Sequence, residues 1–101
     1  MPGLLLILTE TEGERFLASV ELAATAAALD RQVAILLRGT AVKGLPEPAL
    51  ALLRELGVHI AACQTAMADH GLTAADLQPG VEALGMVAFL QGRGHWQLLL
   101  A

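Results

Sequence analysis

Aromatic residues, cysteine and clustered positive charge are all scarce in this sequence. Only 3% of the 101 residues are aromatic, and the single cysteine is Cys63. One cysteine cannot form an internal disulfide, and a lone thiol persists best in a reducing compartment. The six basic residues are scattered along the chain and do not form the cluster that neutralises phosphates. The sequence therefore argues against a disulfide-stabilised secreted domain and predicts no nucleic-acid partner.

Long hydrophobic runs are also missing. No apolar run approaches the roughly 20 residues of a bilayer span. The opening segment MPGLLLILTETEGE has no basic residue and turns acidic after a short apolar stretch. We therefore expect a cytoplasmic protein without a membrane partner.

Apolar residues are in surplus, mainly as Ala, Leu and Val. They make up 55% of the chain, against roughly 45–50% in typical domains. Residues 1–101 are enough for a single domain with its own core. Because so short a chain has few places to bury the surplus, we expect a homo-oligomer.

Short apolar runs alternate with helical patterns. The runs predict strands at Leu4–Leu8, Val33–Leu37, Val58–Ala62, Val81–Leu84 and Gln97–Leu100. Alternation of strands and helices at this spacing predicts right-handed βαβ units and a mostly parallel sheet. The predicted fold class is α/β with three layers, and the first three strands should lie side by side.

Several residues mark the predicted ends of helices. Thr11 with Glu14, and Thr73 with Asp76, have the spacing of a capping box at a helix start. Gly57 and Gly71 follow helical patterns, where a glycine commonly ends a helix. The helix before Gly57 should run to about Leu56, and the one before Gly71 should span CQTAMADH. The first helix should bury one face, formed by Phe16, Val20, Ala23, Ala24 and Ala27.

Loops that follow the strands of a parallel sheet meet at one edge, where such proteins bind ligands. Three loops are predicted there, at Thr9–Glu12, Arg38–Thr40 and Cys63–Thr65. The candidate site combines the thiol of Cys63 with residues of a substrate or partner crevice. The crevice residues are Thr9, Glu10, Arg38, Gly39, Gln64 and Thr65.

Cys63 has two interpretations. A thiol in the first turn of a helix lies near unpaired backbone N–H groups, which stabilise its anionic form. On this interpretation Cys63 is a partly accessible, reactive thiol with a lowered pKa. The alternative is that Cys63 only packs, because free cysteine is among the most buried residue types.

The sequence gives weaker support for a Cys/His pair, a metal site, nucleotide binding or paired carboxylates. Cys63 and His70 are about two helical turns apart and share a face without touching. His59 is predicted to lie in a strand. A structural zinc site needs four ligands and usually more than one cysteine, so no metal is expected. Neither a Gly-x-Gly-x-x-Gly nor a P-loop motif occurs, and we expect no cofactor. Paired carboxylates among Glu10, Glu12 and Glu14 are a minor possibility, since such a cluster is most often a solvated helix start.

The segment ACQTAMADHGLTAADLQPGVEALGMVAFL, residues 62–90, carries a resemblance to a known family. The order of a cysteine after the third strand, HGL, DL, PGVEALGM and a following helix resembles the DsrE/DsrF-like family with the YchN-like fold. The resemblance implies a five-stranded, mainly parallel α/β/α sandwich that assembles into trimers or hexamers. In the sulfur-relay members of that family a single cysteine carries sulfur as a persulfide, and Cys63 occupies the matching position.

The resemblance makes a small sulfur carrier the leading hypothesis, with Cys63 exchanging sulfur between donor and acceptor proteins. The competing hypothesis is a non-catalytic oligomeric binding module whose cysteine is structural. A third is redox sensing through a sulfenic acid, which would need a resolving thiol from a partner.

Overall fold

The computed structural model describes residues 1–101. It contains five strands, four α-helices and two short 3-10 helices. The strands are β1 (Leu4–Leu8), β2 (Val33–Leu37), β3 (His59–Cys63), β4 (Val81–Leu84) and β5 (Gln97–Leu100). The helices are α1 (Glu14–Ala28), α2 (Glu47–Glu55), α3 (Gln64–Asp69) and α4 (Met86–Leu90), and the 3-10 helices are Gly39–Lys43 and Ala74–Asp76.

All five strands form one sheet in the order β4-β3-β2-β1-β5, and every neighbouring pair is parallel. The predicted α/β class is therefore confirmed, and the first three strands lie side by side as expected. β5 returns across the sheet to pair with β1, with Leu4 opposite Gln97 and Ile7 opposite Leu100. The prediction was a mainly parallel sheet, and in the structure every strand pair is parallel.

The direction of the crossovers gives the sheet its two covering layers. Steps from β1 to β2 and from β2 to β3 go the same way, so right-handed connections put α1 and α2 on one face. The step from β4 to β5 goes back the other way and puts α4 on the opposite face. The ring of Phe89 in α4 lies 5.5 Å from the ring of His59, which places α4 on the face to which His59 points. This arrangement is a three-layer α/β/α fold.

The core forms because the central strands are apolar on both faces. Every residue of β2 is buried, and in β1 only Ile7 is partly exposed. The helix α1 buries Phe16, Val20 and Ala23 as predicted. Its predicted face is rotated slightly, because Ser19 and Ala26 are buried whereas Ala24 and Ala27 are partly exposed.

The face covered by α4 remains partly open, since α4 has only five residues. Leu98 and Leu100 of the edge strand point to this face and are 54% and 77% exposed. Val87 of α4 is 85% exposed. No helix in the structure is both long enough and apolar enough to cross a membrane.

The two predicted capping boxes have different outcomes. Asp76 accepts hydrogen bonds from the Thr73 N–H (2.8 Å) and from its hydroxyl (3.3 Å), so that box is confirmed. The box predicted for Thr11 and Glu14 is wrong. The helix α1 begins at Glu14, and Gly13 precedes it with a φ of 91° and no side-chain cap.

Two boundaries in the loops also differ from the sequence prediction. Residues Gly39–Lys43, which begin within the predicted loop Arg38–Thr40, form a 3-10 helix. The helix after β3 starts at Gln64 instead of Cys63, although Gly71 follows it with the expected positive φ of 69°. The predictions for α2 and its terminator hold, because α2 ends at Glu55 and Gly57 has a φ of 78°.

Candidate functional site

Cys63 is the last residue of β3 and the residue that precedes α3. It pairs with Leu84 of β4 and keeps an extended backbone (φ −66°, ψ 124°). The predicted strand Val58–Ala62 is therefore shifted by one residue, and Cys63 lies in the strand instead of the first helical turn. Its side chain is only 3% exposed and belongs to the hydrophobic core. The prediction of a partly accessible thiol is wrong for this chain by itself, because a residue inside the sheet is covered on both sides.

Arg38 is the neighbour of Cys63 across the sheet edge. Leu37 pairs with Ala62, so Arg38 and Cys63 come next on their adjacent strands. Arg38 continues the extended backbone (φ −133°, ψ 177°), so its side chain starts on the same face as that of Cys63, about 5 Å away at the strand spacing. The guanidinium Nε of Arg38 is buried and has no hydrogen-bond partner.

The first two edge loops contact each other. The Thr40 hydroxyl donates a hydrogen bond to the Thr9 carbonyl (3.2 Å). Gly39 has a φ of 53°, and a Cβ there would lie 3.1 Å from the same carbonyl oxygen. A glycine therefore allows the second loop to pass close to the first.

Glu10 lines two concavities beside the start of α1, with volumes of about 70 and 520 Å³, and Thr9 lines the smaller one. Both are acidic through Glu10 and Glu12. Since β1 and β3 are two strands apart, these concavities lie roughly 10 Å from Cys63.

The remaining predicted crevice residues lie nearer to the thiol without enclosing a cavity. Gln64 and Thr65 are the first, exposed residues of α3. Neither they nor Arg38 and Gly39 line a concavity, and Cys63 lines none either. The structure thus brings Cys63 together with Arg38, Gln64 and Thr65, whereas Thr9 lies on the far side of Arg38, two strands away from the thiol.

The three histidines lie apart from one another. His70 follows the last residue of α3, and His95 is exposed in a turn. His59 lies at the start of β3, at the opposite edge of the sheet from Cys63. No group of three or more His, Cys, Asp or Glu side chains is close enough to hold a metal ion.

The surroundings of His59 were missed by the sequence interpretation. Its Nε2 contacts the Glu82 carboxylate, and its Nδ1 lies 2.7 Å from Nη2 of Arg93. These residues come from β3, β4 and the loop after α4, so no local spacing signals that they meet. Only the strand order brings them together.

Among the comparisons with known proteins, the comparison of structures finds matches to this chain. No family model matches the sequence, and no curated protein matches it either. The YchN protein from E. coli superposes with a TM-score of 0.79 at 19% identity, over 99% of this chain and 98% of that one. The fold is that of YchN.

Two further structures share the YchN-like fold along their whole length. MTH1491 from Methanobacterium thermoautotrophicum, a protein of unknown function, has a TM-score of 0.81 at 16% identity, with 100% of both chains covered. BT1422 from Bacteroides thetaiotaomicron, a conserved protein of unknown function, has a TM-score of 0.79 at 16% identity, over 98% of this chain and 94% of that one. At such identities the likeness establishes the fold alone.

Proposed function

We propose that this protein is a sulfur carrier that holds sulfane sulfur as a persulfide on Cys63. The position of Arg38 is the main support. Its side chain starts beside Cys63 at the carboxyl edge of the sheet, and its buried Nε lacks an acceptor. Buried donors are rarely left unpaired, and an anionic sulfur on Cys63 is an acceptor of the right charge. The resemblance of residues 62–90 to the DsrE/DsrF-like family adds to this support.

The chemistry needs only thiols and a persulfide. The Cys63 thiolate attacks the outer sulfur of a donor persulfide, the S–S bond of the donor breaks, and the donor leaves as a thiolate. Cys63 then holds the persulfide. An acceptor nucleophile attacks the terminal sulfur and breaks its bond to Sγ, which regenerates the Cys63 thiolate. No net oxidation occurs, and the donor and acceptor are proteins or small thiols.

Burial of Cys63 requires a local opening before transfer. Cys63 points to the same face of the sheet as His59, four residues earlier in β3, and this face is covered by α4, which has five residues and an exposed Val87. A short segment with an exposed surface opens at a lower free-energy cost than the whole sheet. Movement at the start of α4, which follows the Cys63 partner Leu84 by two residues, would expose the thiol while the sheet stays paired.

Thiol labelling of the native protein tests this opening. On the carrier proposal, a disulfide reagent modifies Cys63 at neutral pH much faster than the protein unfolds. Labelling that proceeds only at the global unfolding rate would contradict the proposal. The unfolding rate is measured in parallel by hydrogen exchange of the β2 amides.

Loading with glutathione persulfide, followed by mass spectrometry, tests the chemistry. The parent should gain one sulfur atom, and Cys63→Ala should gain none. Arg38→Gln should load roughly tenfold more slowly, because one charge-assisted hydrogen bond to sulfur is lost. Lys43→Gln, which removes the same charge from an exposed position, should load at the parental rate. A parent that never gains sulfur, or a Cys63→Ala variant that does, would refute the carrier function.

A second candidate function is supported by the burial of Cys63. With 3% exposure, in the core and outside every concavity, the thiol also fits a structural role in a non-catalytic oligomeric binding module. In that case Cys63→Ala should lower the free energy of unfolding by about 1 kcal/mol or more, as a small core truncation does. Urea denaturation measures this loss, and the absence of sulfur loading would then assign the second function.

We also propose a cytoplasmic homo-oligomer formed by this single 1–101 domain. The support is the exposed apolar surface of Val87, Leu98 and Leu100, which a second copy could cover.

A further inference from the structure

A second pocket lies at the edge of the sheet where the strands begin, away from Cys63. Its volume is about 420 Å³. It lies beside the starts of β2 and β3, and among its lining residues are Arg31, His59, Arg93, Trp96 and Asp30. This pocket contains two guanidinium groups and a single carboxylate, whereas the concavities at the opposite edge are acidic.

Arg93 is held in place by four contacts. Its Nη1 donates to the Phe89 carbonyl (2.7 Å), and its Nη2 donates to Nδ1 of His59 (2.7 Å). The guanidinium carbon lies 4.6 Å from the ring centroid of Phe89 and 5.0 Å from that of Trp96. A guanidinium fixed in this way loses little conformational freedom when a ligand binds.

Arg31, which also lines the pocket, is anchored in a similar way. Its Nε donates to the Pro2 carbonyl (2.8 Å), and its Nη2 donates to Oε1 of Gln97 (2.7 Å). Arg31 and Arg93 each use two N–H groups in these bonds and retain others. The contact of His59 with Glu82 is the only pairing of a basic with an acidic side chain in the structure, so both guanidiniums lack a carboxylate partner.

The nearby helix ends do not account for these two arginines. The last carbonyls of α1 accept from the backbone N–H groups of residues 29–31, and those of α2 accept from residues 56–58. The helix carbonyls are therefore capped by their own chain. Each helix end contributes only about half a negative charge, which falls off within one turn, whereas each guanidinium is a full charge with directed donors.

We propose that this pocket binds a small molecule through an oxyanion group, either a carboxylate or a phosphate. The planar guanidinium groups of Arg31 and Arg93 both line the pocket, and such groups match the geometry of an oxyanion. The Trp96 ring and the apolar lining residues Val33 and Leu56 would contact the rest of the ligand. The site does not involve Cys63, so it stands whether or not sulfur transfer occurs there.

Trp96 is the only tryptophan, which makes its fluorescence a direct probe of the pocket. The full chain is titrated with inorganic phosphate and, separately, with acetate, at an ionic strength held constant with sodium chloride. A saturable change in the emission of Trp96 with either anion supports the site, and the anion that binds more tightly identifies the group. The absence of saturation with both anions would overturn the proposal.

Substitutions locate the binding. Arg31→Gln and Arg93→Gln should each weaken binding roughly tenfold or more, the effect of losing a charge-assisted hydrogen bond. Lys43→Gln, with the same change in net charge, should bind like the parent. Because Arg93 also packs against α4, circular dichroism verifies its folding, and Arg31→Gln tests the site independently. Equal affinity in the parent and in both pocket variants would refute the assignment.

Discussion

At the scale of single residues, Gly3 shows how one position depends on a distant one. Gly3 is buried, and the indole ring of Trp96 lies directly against it. A Cβ at this position would overlap the ring. The requirement for glycine is therefore one of space, since the backbone of Gly3 does not have a positive φ.

Gly3→Ala is expected to displace Trp96 and lower the free energy of unfolding by about 1–3 kcal/mol, as overpacking does in other cores. The emission of Trp96 should shift to longer wavelength because the ring becomes more exposed to water. Gly94→Ala is the matched control, since nothing lies within 4 Å of a Cβ at Gly94 and its φ is ordinary. Unchanged emission and stability in Gly3→Ala would contradict the close packing of the ring.

At the scale of elements, two segments with the same capping-box spacing behave differently. Thr73 and Asp76 form their contacts at the start of a 3-10 helix. Between Thr11 and Glu14, however, Gly13 would occupy the first helical turn, where glycine is unfavourable. Gly13 instead adopts a φ of 91°, and the helix starts after it. The spacing alone predicts a cap only when the intervening residues can be helical.

Asp76→Ala should therefore lower the free energy of unfolding by about 0.5–1.5 kcal/mol, because two hydrogen bonds are lost. Glu14→Ala should change it by less than about 0.5 kcal/mol, since Glu14 makes no capping contact. Urea denaturation of both variants measures the difference. A larger loss for Glu14→Ala than for Asp76→Ala would show that α1 is capped in solution after all.

The elements themselves were predictable, but their burial was not. The predicted limits of β1, β2, β4 and β5 match the observed ones, and the runs of β1, β2 and β4 are bounded by polar residues or glycines. The sequence does not mark the end of β3 in this way, since the run VHIAAC continues through Cys63, one residue beyond the predicted end at Ala62. That single residue moves Cys63 from a helical turn into the core. Its exposure depends on what packs over it, which local pattern does not encode.

At the scale of the whole molecule, the two faces of the sheet are covered unequally. The helices α1 and α2 shield one face, while α4 leaves Leu98 and Leu100 exposed on the other. The pairing of β5 with β1 and the cluster of His59, Glu82 and Arg93 both arise from this strand order. Strand order is a long-range property, so neither feature could be predicted from the sequence.

If a second copy covers this face, Leu100→Asp should weaken association without unfolding the chain. Leu100 is 77% exposed, so the substitution should cost the single chain less than about 0.5 kcal/mol. Sedimentation velocity should show an oligomer for the parent and smaller species for Leu100→Asp. Leu29→Asp, at a 66% exposed position after α1, is the control and should sediment like the parent. A monomeric parent would contradict the predicted homo-oligomer.

The pairing of the first strand with the last also affects how the protein is made. The ribosome synthesises β1 long before Gln97–Leu100, so the nascent chain presents the LLLIL segment with one edge unpaired. Unpaired apolar strands tend to pair with other chains and aggregate. β1 therefore keeps one unpaired edge until β5 has been synthesised, and this edge is open to other chains even after β2 has paired with the opposite edge.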